Sequence, residues 1–147
     1  MLAERFLFAG ESVEVLFLPR ERVLGAYRTG DCLLDVGNTH DASKLFFDHK
    51  IVGGDRHADC EAGLVWKRLV ALRRPVMHLR SLVDVVFAGD SRRAWASFRS
   101  EYEESKRSGF HKALSDAKRT YVNDADVYRA MRLWLDKYHK RAVTLKG

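Results

Sequence analysis

The stretch of sequence that decides the fold runs from residue 32 to residue 50 and reads CLLDVGNTHDASKLFFDHK. It holds two short, mainly apolar runs, 32–36 and 45–47. Asp35 stands near the end of the first run, just before Gly37, and Asp48 and His49 follow the second. Short apolar runs bounded by glycine or polar residues are typical of buried strands. We therefore expect two strands of a small, mainly parallel sheet, with Asp35 and the pair Asp48 and His49 at their carboxyl ends.

The polar residues that follow these strands have metal-ligating side chains. In open α/β sheets, ligands gather beyond the carboxyl ends of the strands, so Asp35 and His49 should reach the same edge. A carboxylate and an imidazole suit Mn²⁺, Mg²⁺ or a related divalent ion, which neutralises phosphate charge and lowers the pKa of bound water. The alternative interpretation treats Asp35 and Asp41 as turn-formers and His49 as a hydrogen-bonded loop histidine.

Further elements are predicted on both sides of this stretch. Residues 2–9 read as the end of a helix closed by Gly10, residues 13–18 (VEVLFL) as a strand stopped by Pro19, and 20–30 as a short helix or turn. From Asp59, the predicted N-cap, the hydrophobic period becomes helical. Helices are predicted before and after Pro75, over 91–107, over 110–119, and from Asn123 or Asp124 towards the C-terminus.

This order of elements predicts a single α/β domain over residues 1–147, sheet-rich in 1–58 and helical in 59–147. Hydrophobic residues make up 46% and charged residues 31%, which indicates a globular rather than a disordered chain. No apolar run approaches the roughly 20 residues of a membrane span, and the N-terminus is a poor signal peptide. We expect a cytoplasmic protein, and in that reducing compartment Cys32 and Cys60 should be part-buried thiols and not a disulfide. Neither cysteine has the spacing of a zinc site.

Charge is distributed unevenly along the chain. Residues 1–66 contain 7 Lys/Arg and 11 Asp/Glu, whereas residues 67–147 contain 19 and 9. A basic half suits phosphate or nucleic-acid binding, and the alternative is an ordinary solvated helix face. Trp66 and Trp95 lie near the densest basic region, but both fall on apolar helix faces, which favours burial over base stacking. That basic region consists of Arg68, Arg73, Arg74, Arg80, Arg92 and Arg93.

The spacing of several motifs resembles that of a known family. Residues 35–37 read Asp-Val-Gly, Asp41 lies in the following turn, and Phe47 leads into Asp48-His49. Residues 62–67 then read AGLVWK. This series resembles the DHH phosphoesterase superfamily, most closely the MYG family of metal-dependent exonucleases, over about residues 1–90. The resemblance is specific over 35–67, and it implies a DHH-like α/β fold.

The resemblance also implies roles for individual residues. Asp35 would bridge two metal ions, His49 would bind one of them, and Asp48 would orient His49. Lys50 replaces the second histidine of the family's Asp-His-His motif and would face substrate phosphate. The resemblance also implies a later aspartate of the metal site, for which Asp84 is the candidate, and Phe87 or Asp90 occupies that position in the two alternative registers.

Four further residues are candidates for binding substrate. Arg56 and His57 lie in a loop after Gly53-Gly54 that could cover a substrate, and Lys67 and Arg68 open the basic half. The family's first His/Asp-rich motif would precede Met1, so the resemblance implies a truncated or a degenerate, non-catalytic copy. The expected function is a phosphoesterase acting on nucleotides or short nucleic acids. The alternative is a non-catalytic module that binds nucleic acid or protein through its basic helical half.

Overall fold

A computed structural model of the chain describes residues 1–36, 38–50, 59–90 and 97–144. The chain divides into two compact units, Leu2–Arg74 and Pro75–Gly147, the latter together with Met1. The division falls at Pro75, whereas the sequence pattern places the change from sheet-rich to helical composition at residue 59. The long helix that follows residue 59 therefore belongs to the same unit as the two strands.

The first unit contains a small parallel sheet and three helical segments. A π-helical turn, Ala3–Leu7, is followed by α1 (Arg20–Ala26), β1 (Leu33–Leu34), β2 (Phe46–Phe47) and α2 (Glu61–Ala71). β1 and β2 are parallel, with Leu33 opposite Phe46 and Leu34 opposite Phe47. Phe47 is fully buried, and α2 packs against β2 and against the π-helical turn. The prediction of a parallel pair is confirmed, although each strand is only two residues long.

The segment 13–18 is not a strand, contrary to the prediction from its composition. Residues 12–19 have no regular secondary structure, and the side chains of 15–18 are 36–62% exposed. A strand is stabilised by hydrogen bonds to a neighbour, and intrinsic β-propensity alone does not supply them. The described sheet offers only two residues on each strand, so it provides no long edge for this segment to pair with.

The start of α2 also differs from the prediction, because Cys60 and not Asp59 is the N-cap. Cys60 Sγ accepts a hydrogen bond from the Gly63 amide at 3.4 Å. Asp59 accepts from the Cys60 amide at 2.9 Å and pairs with Lys67, so its carboxylate is directed along the side of the helix. α2 buries Val65, Trp66 and Leu69, and the expected burial of Trp66 is confirmed.

The second unit is helical throughout its described part. It begins with a 3-10 helix, Met77–Leu79, and continues with α3 (Arg80–Asp90), α4 (Arg99–Ser108), α5 (Phe110–Thr120) and α6 (Asp124–Thr144). α3 packs on α4, and α5 packs on α6. The buried side chains of this unit are Val76, Leu79, Leu82, Val83, Val85, Ala88, Phe110, Ala117, Met131 and Leu135.

The ends of these helices follow the sequence signals in most places. Gly109, at φ 73°, separates α4 from α5, and the Asn123 side chain accepts from the Asp126 amide at 2.9 Å at the start of α6. α4 begins at Arg99 with Phe98 as its N-cap, so residues 97 and 98 are not part of it, contrary to the helix predicted over 91–107. Residues 91–96, with Trp95, Arg92 and Arg93, lie outside the described residues. His78 Nε2 lies 2.7 Å from His139 Nδ1, a contact between the 3-10 helix and α6 that the sequence did not indicate.

Both cysteines are free thiols, as predicted. Cys60 is buried. Cys32 is half-buried, and its own removal from water raises the pKa of its thiol to about 11. Each helix within the described ranges is too short or too polar to span a bilayer.

Candidate metal centre

Asp35 stands directly after β1, at the end of the parallel ladder. Its amide donates to the Phe47 carbonyl at 3.0 Å, which extends the pairing of β1 with β2 by one residue. Its φ is 58°, a left-handed conformation that aspartate and asparagine adopt more readily than other non-glycine residues. The turn ends the strand and leaves the Asp35 side chain 53% exposed at the sheet edge.

Asp48, directly after β2, is a buried carboxylate held by backbone amides. It is 1% exposed, and its two oxygens accept hydrogen bonds from Asn38 N at 2.7 Å and from Lys50 N at 2.8 Å. Two amide donors compensate for the removal of a carboxylate from water. Asp48 therefore fixes the loop after β1 against the residues after β2.

His49 is oriented by a residue that the sequence analysis did not select. Its Nδ1 pairs with Oε1 of Glu61 in the first turn of α2, and the two side chains are 10% and 21% exposed. An acid in the first turn of a helix is ordinarily explained by the helix dipole, so Glu61 gave no separate signal. Glu61 thus contacts the His49 ring directly, and the hydrogen bonds of Asp48 described above fix the loop beside it, so the orienting role predicted for Asp48 stays a prediction.

The four side chains of Asp35, Asp48, His49 and Glu61 form a cluster that we call the acidic edge. One potential ligand atom from each lies within 4.8 Å of those of the others. Burial raises the pKa of the Glu61 carboxyl, and the nearby Asp35 carboxylate raises it further, while His49 acts in the opposite direction. Two carboxylates close enough to repel one another are favourably placed to share a cation.

Lys50 lies beside the acidic edge with its side chain directed to Asp35. Lys50 Nζ pairs with Asp35 Oδ1, and the lysine side chain is 41% exposed. The Asp35 carboxylate raises the pKa of the Lys50 ammonium above its ordinary value, so the side chain is charged at neutral pH. Part of the negative charge of the acidic edge is therefore already neutralised by a residue of the chain.

The structure assigns other contacts to the remaining predicted site residues. Lys67 pairs with Asp59, and Arg68 Nε is buried without a hydrogen-bond partner among the described residues. Asp84 lies on α3 in the second unit, where it pairs with Arg80 Nε at 3.0 Å. Its two alternatives are also on α3, where Phe87 packs edge-to-face against Phe98 and Asp90 ends the helix. Arg56 and His57 lie outside the described residues.

Asp41 and His40 belong to the connection between the strands. Asp41 Oδ1 accepts from Ser43 Oγ at 2.5 Å and Ser43 N at 3.0 Å, and this bonding lowers the pKa of the Asp41 carboxyl. His40 Nδ1 lies 3.1 Å from the Phe46 carbonyl, and the residue is exposed. Asp41 is thus a turn-former, and His40 is an exposed residue that contacts the backbone of β2.

The donor set of the acidic edge is three carboxylates and one imidazole. Oxygen-rich sets of this kind suit Mg²⁺, Ca²⁺ and Mn²⁺, and the imidazole also admits softer divalent ions. Asp48 has two amide donors and still has oxygen lone pairs available to a ligand. The residues present therefore fit a hard or borderline divalent cation.

Comparisons with protein-family models, with curated proteins and with solved structures found no match for this chain.

Proposed function

We propose that this protein is a divalent-metal-dependent phosphoesterase of DHH-like type, with Mn²⁺ or Mg²⁺ held at the acidic edge. The observation that carries the proposal is the convergence of ligand atoms from Asp35, Asp48, His49 and Glu61 within 4.8 Å. These residues come from the ends of two parallel strands and from the next helix. Their arrangement supports the assignment of Asp35 and His49 as metal ligands, which the sequence resemblance also implies.

Each residue of the acidic edge has a different structural role in the proposed site. Asp48 fixes the backbone of both loops, and Glu61 holds the His49 ring in one orientation. Asp35 is the most exposed carboxylate of the cluster, so a substrate reaches the site from its side. A bound divalent ion would supply charge neutralisation for a phosphate and activation of water.

The substrate that best fits this site is a phosphoester, either a nucleotide or a short nucleic acid. Lys50 has a side chain that is 41% exposed and an ammonium that pairs with Asp35, and the remaining N–H groups of this ammonium can donate to a phosphate oxygen. Arg68, on α2 in the same unit, has a buried Nε, so it would contact a phosphate only after its side chain moves. Lys67 can do so only by leaving Asp59.

Mn²⁺ titration calorimetry near neutral pH tests the metal part of this proposal. We expect micromolar binding by the wild type and at least about tenfold weaker binding by Asp35→Ala and His49→Ala, because each variant removes a ligand. His40→Ala is the matched control, since His40 lies in the same region but is exposed, and it contacts the Phe46 carbonyl and the Phe47 ring and none of the four residues of the acidic edge among the contacts described above. Absence of binding by the wild type, or equal binding by all four proteins, contradicts the proposal.

Phosphoester hydrolysis is then measured with the same four proteins. Bis(p-nitrophenyl) phosphate and a fluorescent dinucleotide serve as substrates, with Mn²⁺ or with EDTA. We expect turnover that requires the metal and is lost in the two ligand variants. If the protein binds the metal but hydrolyses neither substrate, the phosphoesterase proposal is contradicted for these esters and only the metal-binding part of the proposal remains.

A further inference from the structure

The contact between Lys50 and Asp35 bears on how many ions the acidic edge holds. Asp35 is the carboxylate to which the resemblance assigns the bridge between two metal ions, and two-metal sites depend on such shared ligands, with the ions about 4 Å apart. Here the Lys50 ammonium lies on Asp35 Oδ1. One oxygen of the would-be bridge therefore already has a cationic partner supplied by the chain.

The backbone of Lys50 also restricts where this ammonium can go. Its amide donates to Asp48 Oδ1 at 2.8 Å, so the start of the side chain is fixed to the buried carboxylate of the cluster. The side chain then spans from this point to the exposed Asp35 carboxylate at the sheet edge. The ammonium is consequently tethered beside the cluster at a high effective concentration.

The charges of the cluster agree with a single divalent ion. Asp35, Asp48 and Glu61 contribute three negative charges when ionised, His49 is neutral when it acts as a ligand, and Lys50 contributes one positive charge. The net charge is then −2, which one divalent cation neutralises. A second divalent cation would leave an excess of positive charge in a site whose Asp48 and His49 are largely removed from water.

We propose that Lys50 Nζ takes the place of a second metal ion, so that the acidic edge binds one divalent cation beside a tethered ammonium. This inference rests on the proposed function, since it requires a metal at the acidic edge. It gives Lys50 a definite role as a positioning residue for Asp35 and as the second positive charge next to the ion.

Mn²⁺ titration of the wild type, Lys50→Gln and Lys44→Gln tests this inference. We expect one ion per chain in the wild type, and binding at least about threefold tighter in Lys50→Gln, because removing a neighbouring positive charge frees Asp35 and favours the cation. Lys44→Gln is the matched control with the same change in net charge, since Lys44 is 67% exposed and pairs with Asp41. Its affinity should equal that of the wild type. Circular dichroism verifies that each variant is folded.

Electron paramagnetic resonance of the Mn²⁺-loaded wild type provides an independent readout. A single bound Mn²⁺ gives a six-line signal, whereas two ions sharing a carboxylate give an exchange-coupled signal with many more lines. We expect the six-line signal alone at saturation.

Each outcome distinguishes the inference from the proposed function. Two ions in the wild type, or binding by Lys50→Gln that is no tighter than that of the control, overturns the inference and leaves the metal site. Binding by Lys50→Gln but not by the wild type would support the proposal that the Lys50 ammonium takes the place of a metal ion. It would also overturn the proposal that the native chain functions with a metal. Absence of binding in all three proteins overturns both.

Discussion

In the acidic edge, burial and a neighbouring carboxylate disfavour the charged form of Glu61. Burial and the Asp35 carboxylate raise the pKa of the Glu61 carboxyl above its ordinary value of 4.5. A carboxyl whose pKa is raised on folding stabilises the fold fully below its unfolded pKa, and this contribution is lost as the pH rises through the folded pKa. Ionised Glu61 therefore costs folding free energy at neutral pH in the absence of metal.

We expect Glu61→Gln to gain stability relative to the wild type as the pH rises from about 4 to about 7, because glutamine does not ionise. Urea denaturation in EDTA, followed by circular dichroism at several pH values, measures the difference in free energy of unfolding. The same variant should bind Mn²⁺ more weakly, since a carboxylate ligand is lost. A stability difference that is constant over this pH range, or that falls with pH, would show that Glu61 is not disfavoured in its charged form.

At the start of α2, Gly63 has no side chain, and Asp59 lies in the space that a side chain there would need. A Cβ on Gly63 would clash with Asp59 Oδ1, so an alanine at residue 63 would require the Asp59 side chain to leave its present position. Asp59 in turn bonds the Cys60 amide and Lys67. The sequence motif AGLVWK thus contains a glycine with a packing function, and the family resemblance alone does not reveal it.

We expect Gly63→Ala to destabilise the protein by about 1 to 3 kcal/mol, because the displacement of Asp59 outweighs the better helix propensity of alanine. Gly25→Ala is the matched control, since Gly25 lies in α1 with no atom within 4 Å of the position of a Cβ. There the same change should be neutral or stabilising by up to about 1 kcal/mol. Thermal and urea denaturation of both variants provide the measurement. Equal effects in the two helices would exclude the contact with Asp59 as the cause.

The helices were predicted better than the strands, for a physical reason. The apolar period of α2, α3 and α6 extends over several turns, and signals such as Gly109 and Asn123 mark the ends of helices locally. Strand formation depends on a partner elsewhere in the chain, so the β-prone run 13–18 was misassigned. Non-local pairs such as His78 with His139 are invisible to periodicity for the same reason.

The candidate site was predicted in part. Asp35, Asp48 and His49 follow recognisable strands, and the strand register brings them together. Glu61 is 12 residues beyond His49 and reaches the site through the packing of α2 on β2, which no local pattern encodes. Asp84 was selected by alignment alone, and the structure gives its side chain a contact with Arg80 on the same helix.

At the scale of the whole chain, the net charge of +6 belongs to one unit. Pro75–Gly147 contains 15 Lys/Arg and 9 Asp/Glu, whereas Leu2–Arg74 contains 11 of each. Within its described part, several basic side chains of this unit are engaged by acidic neighbours on the same helix. They are Arg80, Lys106, Arg107, Lys112, Arg119 and Arg129. Such exposed pairs are weak and leave the excess of six positive charges in this unit unchanged, so its affinity for a phosphate backbone has to be measured.

We expect only weak binding of a fluorescent single-stranded DNA by the metal-free protein, lost between about 50 and 200 mM salt. Fluorescence anisotropy at increasing salt in EDTA measures the affinity and its salt dependence. Tight binding that persists at 200 mM salt, with no cleavage of the DNA after Mn²⁺ is added, would favour the binding module over the phosphoesterase.

The exposed run at residues 13–18 has a consequence for how this protein behaves in concentrated solution. This six-residue run has five apolar residues and one charge, at Glu14, and its composition is close to that of segments that stack into cross-β fibrils. Glu14 and the adjoining Pro19 act as gatekeepers, because a charge and a missing amide donor both oppose stacking. Replacing either residue should therefore promote aggregation of a chain whose folded structure is little altered.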